Sequence, residues 1–161
     1  MTIAMSILIF GITICPICGK PIFEEEPYYL FPAFVINILD PLYYFNDNAF
    51  HEKCLSENPL SQVAKSFSIS CIERNKPANR ICLIRGNLIT DFRDHVSLGL
   101  FSTNKSNELY PFNYSHIDKR NIPDWKGKVL FRQKLENLAS GFSWKEIDDK
   151  LYLRSLITLF V

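Results

Sequence analysis

The hydrophobic positions change period along the chain, and the changes mark out segments. Residues 2–14 carry no charge and are rich in isoleucine (Ile7, Ile9, Ile12, Ile14), which predicts a buried strand bulged or kinked at Gly11. A hairpin is expected over Ile22–Leu30 and an extended segment over Leu42–Asn46. After Asn58-Pro59, a capping residue followed by proline, Leu60, Val63, Ala64, Phe67 and Cys71 fall at helical spacing and predict a helix over 59–74. Cys71 lies on that apolar stripe and reads as a core residue. Pro123 and Asp124 open a second helix over 124–139, with Phe131, Leu135 and Leu138 inward and Gly141 as its stop. Ser143-Trp-Lys-Glu146 reads as a capping box that starts a last helix reaching about 158. Ile147, Leu151, Arg154 and Thr158 share one line of it, Leu153, Leu156 and Ile157 lie beside them, and the end Leu159-Phe160-Val161 should be docked.

The pattern repeats. Displaced by 67 residues, 14–46 lies over 81–113 without a gap and with eleven identities in thirty-three positions. Ordinary residue frequencies would give about two or three. Cys15, Gly19 and Ile22 lie over Cys82, Gly86 and Ile89, and Leu42, Tyr43, Phe45 and Asn46 over Leu109, Tyr110, Phe112 and Asn113. A two-residue deletion is then expected to bring His51 over His116, and one more to bring Pro59 over Pro123. Tandem duplication predicts an α+β chain of two repeats, over 1–75 and 80–161. A short linker near Asn75–Asn79 joins them, an extra C-terminal helix follows, and one core is shared.

Composition narrows the class. With 161 residues, 47 % hydrophobic and 22 % charged, the chain is neither a disordered tail nor a coiled-coil rod. A net charge of +1 demotes partners gripped through phosphates. Thirteen Phe and seven Tyr supply a core with rings left over for a contact surface. The apolar start is too short for a bilayer span, which needs roughly 20 residues. No Lys or Arg precedes Lys20 and no small-residue cleavage site is evident, so a signal peptide is disfavoured. A cytoplasmic chain without a membrane partner is expected, and there paired cysteines read as metal ligands before disulfides.

Cys15-Pro-Ile-Cys18-Gly19 is a CxxC knuckle and His51-Glu-Lys-Cys54 an HxxC pair. Two intervening residues let a tight turn aim both sulfurs at one ion, and residues three apart in a helical turn face the same way. Four N/S donors are what a closed structural zinc site takes, so one structural Zn²⁺ per chain is expected on Cys15, Cys18, His51 and Cys54. The second copy would keep Cys82 and His116 but carry Arg85 and Lys119 at the other two places, a degenerate site unable to hold zinc. Arg85 is expected to pair with a nearby acid such as Asp118, and the rival reading borrows a ligand such as His95.

The Cys15/Cys18…His51/Cys54 constellation resembles the treble-clef group, with LIM-type modules the nearest pattern. The whole chain resembles small bacterial cytosolic proteins with tandem CxxCG…HxxC units, some of which are immunity proteins. This resemblance implies a structural clasp and a protein-binding role, with a toxin domain as partner. Glu24, Glu25 and Glu26 with Tyr28 and Tyr29 are the expected contact group, and no catalytic residue is assigned. The alternative is nucleic-acid binding through Lys119, Arg120, Lys126, Lys128, Arg132 and Lys134, with Tyr110, Phe112, Tyr114 and Trp125 nearby. A metal-dependent nuclease of the His-Asn-His kind would use His95, Asn113 and His116, but it lacks a clear carboxylate–His ligand set.

Overall fold

In the computed structural model, which describes residues 7–147 and 152–161, the strands are only three residues long. β1 (Tyr28–Leu30) pairs antiparallel with β2 (Ala49–His51), and β3 (His95–Ser97) with β4 (His116–Asp118). The helices are α1 (Glu52–Ser56), α2 (Ser61–Asn75), α3 (Lys128–Ser140) and α4 (Tyr152–Leu159). Small hairpins and helices alternate along a mixed α/β chain of the α+β kind. None of the described helices is long and apolar enough to cross a membrane. Among the described residues two compact units result, one taking residues 7–35 with Pro41–Ile72, the other Ile36–Asp40 with the residues from Glu73 on.

The first unit is built around Phe31. Its ring meets those of Tyr29 (4.6 Å), Phe45 (5.3 Å), Phe50 (5.7 Å) and Phe34 (5.9 Å), all tilted, edge-on or offset contacts. Asn58 caps the entry to α2 by accepting the Leu60 N–H. The buried line of α2 is Ser61, Ala64, Ser68 and Cys71, small residues at helical spacing, whereas Leu60 and Val63 are turned outward. In the second unit Phe131 of α3 is the centre, against Phe112 (4.7 Å), Phe160 (5.1 Å) and Trp125 (5.3 Å). The segment Ile36–Asp40 joins this unit through backbone and side-chain bonds: Ile38 N–H to Lys145 O, Asn37 Nδ2 to Ser143 O and Lys145 N–H to Asn37 Oδ1.

Several expected elements take another form. The described part of the apolar start, from Ile7, is not a buried strand. The backbone turns through Phe10–Ile12, and Ile7 and Ile12 are 80 % and 70 % exposed; residues 2–6 lie outside the described residues. Ile22–Leu30 does not close as a local hairpin, because Ile14 bridges Pro21 and β1 pairs with the distant β2. Pro41–Phe45 is a 3₁₀ turn rather than extended, with proline fixing its start. The helix expected from 124 begins at Lys128. Among the described residues no helix starts at Ser143; the Glu146 carboxylate accepts the N–H groups of Tyr152 and Leu153 at the start of α4, and the Trp144 indole N–H. Residues 148–151, including Leu151, lie outside the described residues. Phe160 is buried and Val161 exposed.

Backbone hydrogen bonds of the first unit recur sixty-seven residues later. Cys15 N–H to Lys20 O is matched by Cys82 N–H to Asn87 O, and Gly19 N–H to Cys15 O by Gly86 N–H to Cys82 O. Phe31 to Asn48 is matched by Leu98 to Ser115, and Glu52 to Pro27 by Lys119 to Asp94. Gly19 and Gly86 share left-handed φ values of 69° and 72°, which a Cβ would resist. Asp47 (57°) and Tyr114 (53°) are left-handed too, and their N–H groups donate to Pro32 O and to Gly99 O. The offset continues into the helices, where Ala64 N–H to Leu60 O is matched by Phe131 N–H to Gly127 O.

One side chain fastens each loop. Asn46 Oδ1 accepts Phe34 N–H (2.7 Å) and Val35 N–H (2.8 Å), and Asn113 Oδ1 accepts Phe101 N–H (2.8 Å) and Ser102 N–H (3.3 Å). Replacing either asparagine with alanine leaves backbone donors without their acceptor in a largely buried place. Asn46→Ala and Asn113→Ala should each cost about 1–3 kcal/mol, read as a lowered urea midpoint with an unchanged slope. A loss within error of zero would show that water takes over the two N–H groups.

Candidate metal centre

The knuckle is shaped by its backbone before any side chain matters. The bridge between Ile14 and Pro21 pinches the loop, and Gly19 turns it back onto the Cys15 carbonyl. His51 ends β2, and Cys54 stands three residues on, in α1. The hairpin thereby delivers an imidazole and a third sulfur to the CxxC loop. One donor atom from each of Cys15, Cys18, His51 and Cys54 lies within 4.8 Å of all the others. This group can hold a metal ion. Cys15 is buried, Cys54 half-buried and Cys18 exposed, at the edge of a cleft of about 490 Å³ that also takes in Lys20, Glu26, Lys53 and Glu57.

His51 presents one nitrogen to each side. Its Nδ1 is 3.3 Å from Cys18 Sγ and 3.9 Å from Cys54 Sγ, while Nε2 is 3.2 Å from Pro21 O and 3.2 Å from Glu26 Oε2. With acceptors at Nε2, that nitrogen carries the hydrogen and Nδ1 keeps a lone pair for a metal. The sulfurs are set against one another. Burial pushes the Cys15 thiol up, but the backbone N–H groups of Cys18, His51 and Ile17 overcome it and bring it down to about 7. Burial and the neighbouring Cys18 and Cys15 push Cys54 up to about 11. A bound dication removes that conflict by stabilising all three thiolates together.

The second knuckle repeats the pinch and the glycine turn with a different filling, and adds a Leu83 N–H to His116 O bond that Pro16 cannot make. Strand register fixes the correspondence: Tyr28 faces His51 in the first pair, and His95 faces Asp118 in the second. No deletion separates the two stretches. The position matching His51 is therefore Asp118, and that matching Cys54 is Asn121; His116 matches Ala49, and Lys119 matches Glu52. Likewise Pro59 matches Lys126, not Pro123. The expected set Cys82, Arg85, His116 and Lys119 is corrected accordingly. Lys119 Nζ donates to Arg93 O, away from Cys82. Arg85 pairs with Asp124 at 2.7 Å rather than with Asp118, whose buried carboxylate is held by Arg120 at 2.7 Å. Asp118 and Asn121 are the residues the sequence reading missed; extending the ungapped offset past Asn113 would have found them.

His95 and His116 form a pair of their own. His116 Nε2–H donates to Arg74 O (2.6 Å), which leaves Nδ1 to accept from His95 Nε2–H (2.9 Å). Both nitrogens of His116 are thus engaged, and Asn113 Oδ1 accepts the Phe101 and Ser102 N–H groups. Burial, then the neighbouring His116 and Arg80, pull His95 down to about 4, and burial lowers His116.

The expected contact group separates. Glu24 and Glu25 are exposed. Glu26 accepts the Phe23 N–H and faces His51. Tyr28 is 40 % exposed and packs edge-on against Phe10, whereas half-buried Tyr29 lies under Lys65, 4.6 Å from its ring centroid. Much of the basic run is neutralised locally: Arg120 by Asp118 and Asp94, Arg132 by Glu136, Lys134 by Glu108.

Two expected outcomes follow from these contacts. Glu26→Ala should weaken metal binding by roughly 10–100-fold, measured by competition with a chelator of known affinity; wild-type affinity would leave Glu26 a bystander. The histidine pair should make stability fall with acid. Both rings are neutral when folded and gain protons more readily when unfolded, so their contribution is complete above about pH 6.5 and lost toward pH 4. His95→Gln should therefore flatten the fall in thermal midpoint over that window, and an unchanged slope would remove the pair as its cause. Set against known protein families, curated proteins and solved structures, the chain matches none.

Proposed function

We propose that this protein is a zinc-stabilised protein-interaction module of tandem treble-clef-like repeats, the second with a degenerate metal site, acting in the cytoplasm by binding another protein. The observation that carries the reading is the closed donor set: three sulfurs and one imidazole nitrogen converge within 4.8 Å. A sulfur-rich tetrahedral set suits Zn²⁺, and with four protein donors no position is left for a reacting water. Such an ion clasps a fold and does no chemistry.

What remains for function is surface. Phe10, Ile12, Ile17 and Phe23 are exposed around the knuckle, with Glu24 and Glu25 beside them. An apolar face with an acidic edge suits a protein partner carrying a cationic rim. The immunity-type role, with a toxin domain as that partner, comes from the resemblance alone. Nucleic-acid binding is the weaker reading because so many of the basic side chains already have carboxylate partners. A nuclease is weaker still, with His116 and Asn113 committed to structural bonds.

Elemental analysis of untagged full-length protein should find one zinc per chain, and chelation should unfold the first unit. Crosslinking in native cells, with nuclease added before capture, should retain a protein that the Glu24→Lys/Glu25→Lys variant loses. No zinc, or capture of nucleic acid alone, would overturn the reading.

A further inference from the structure

Resting on the reading of the two stretches as copies of one unit, we propose that Cys82, Arg85, Asp118 and Asn121 form a vacated metal site. The backbone of its four corners remains in place, and hydrogen bonds to the one surviving sulfur replace the ion. The sites correspond residue by residue: Cys82 with Cys15, Arg85 with Cys18, Asp118 with His51 and Asn121 with Cys54. Strand register and the recurring backbone bonds set this correspondence, independently of residue type.

The sulfurs sit in the same backbone nest. Cys15 is held by N–H groups of Ile17, Cys18 and His51, and Cys82 by those of Ile84, Arg85 and Asp118, the same three places in each loop. The fourth corner points inward as a ligand would, since Asn121 Nδ2 is 3.3 Å from Cys82 Sγ. The Asp118 N–H also reaches that sulfur, at 3.5 Å. An amide donor thus supplies the partial positive charge that a cation supplies in the other knuckle. Asp118 is 2 % exposed and ties its carboxylate to Arg120, while Arg85 leaves the site for Asp124. The backbone of His116 borders the knuckle, accepting the Leu83 N–H, but its ring is spent on His95 and Arg74.

A site vacated by substitution alone is restored by substitution alone. The variant Arg85→Cys/Asp118→His/Asn121→Cys should bind one metal ion more per chain than wild type. The count is taken by elemental zinc analysis and by Co²⁺ titration, where tetrahedral thiolate ligation gives strong visible bands. A control, Arg85→Cys/Lys119→Cys, keeps Cys82 and His116 and should bind no more than wild type. The double variant Arg85→Cys/Asn121→Cys leaves Asp118 to serve as an oxygen donor and guards against misfolding of the triple. Both are refolded with and without Zn²⁺ and followed by circular dichroism, so that folding only with the ion also counts as binding. If neither gains an ion, or the control does, the proposal is overturned. A wild-type count of zero with a triple-variant count of one would instead sink the zinc reading of the first knuckle and leave this one standing.

Discussion

Three sulfurs and an imidazole nitrogen held within 4.8 Å of one another set the terms for the first unit. Apart from α2, its regular elements are too small to stand alone: strands of three residues and a helix of five cannot hold themselves together in water. The elements that carry the donors are the same ones that need holding. Cys15 and Cys18 lie in the pinched loop, His51 at the end of β2, Cys54 in α1. Aromatic packing around Phe31 covers one side of this arrangement. Backbone N–H groups bring the Cys15 thiol down to about 7, burial and the neighbouring sulfurs push Cys54 up to about 11, and a metal ion bound there would stabilise all three thiolates together.

The second unit meets the same geometric demand by different chemistry. Its knuckle keeps the pinch at Ile81–Leu88, the left-handed glycine and the nested sulfur, but the contacts to Cys82 are hydrogen bonds from Asn121 and the backbone. More apolar bulk stands behind it, with Phe131 and Leu135 where α2 has Ala64 and Ser68. Larger buried side chains contribute more per residue, and the helix capped by Glu146 adds Leu153, Leu156 and Phe160 to the same core. Where packing is thin a charge-dense joint is useful; where packing is heavy a few hydrogen bonds suffice.

Much of the site was legible from spacing. CxxC followed by glycine, and HxxC at a helix start, encode local geometry that few other arrangements require. Residue identity is the weaker guide in the stretch 81–126. His116 suits a ligand by type, but only a two-residue deletion brings it over His51. Strand pairing overrules that choice: moving His116 into the place of His51 would slip β4 against β3 by two residues. The turn at Phe10–Ile12 and the 3₁₀ turn at Pro41–Phe45 were misread for a related reason, since apolar runs carry no label for whether a sheet waits to receive them.

By itself the sequence determined the donor types and their spacings, the offset of 67 over 14–46, and the inner line of α3 at Phe131 and Leu135. These are local properties, set by how many residues separate two side chains on one element. Only the tertiary structure decided which residues meet: Glu26 with His51, Arg85 with Asp124, Asn121 with Cys82, Asn37 with Ser143 and Lys145. Such meetings depend on strand register and on loops closed over many residues. Their outcome is chosen by the whole set of buried hydrogen bonds that must be satisfied at once.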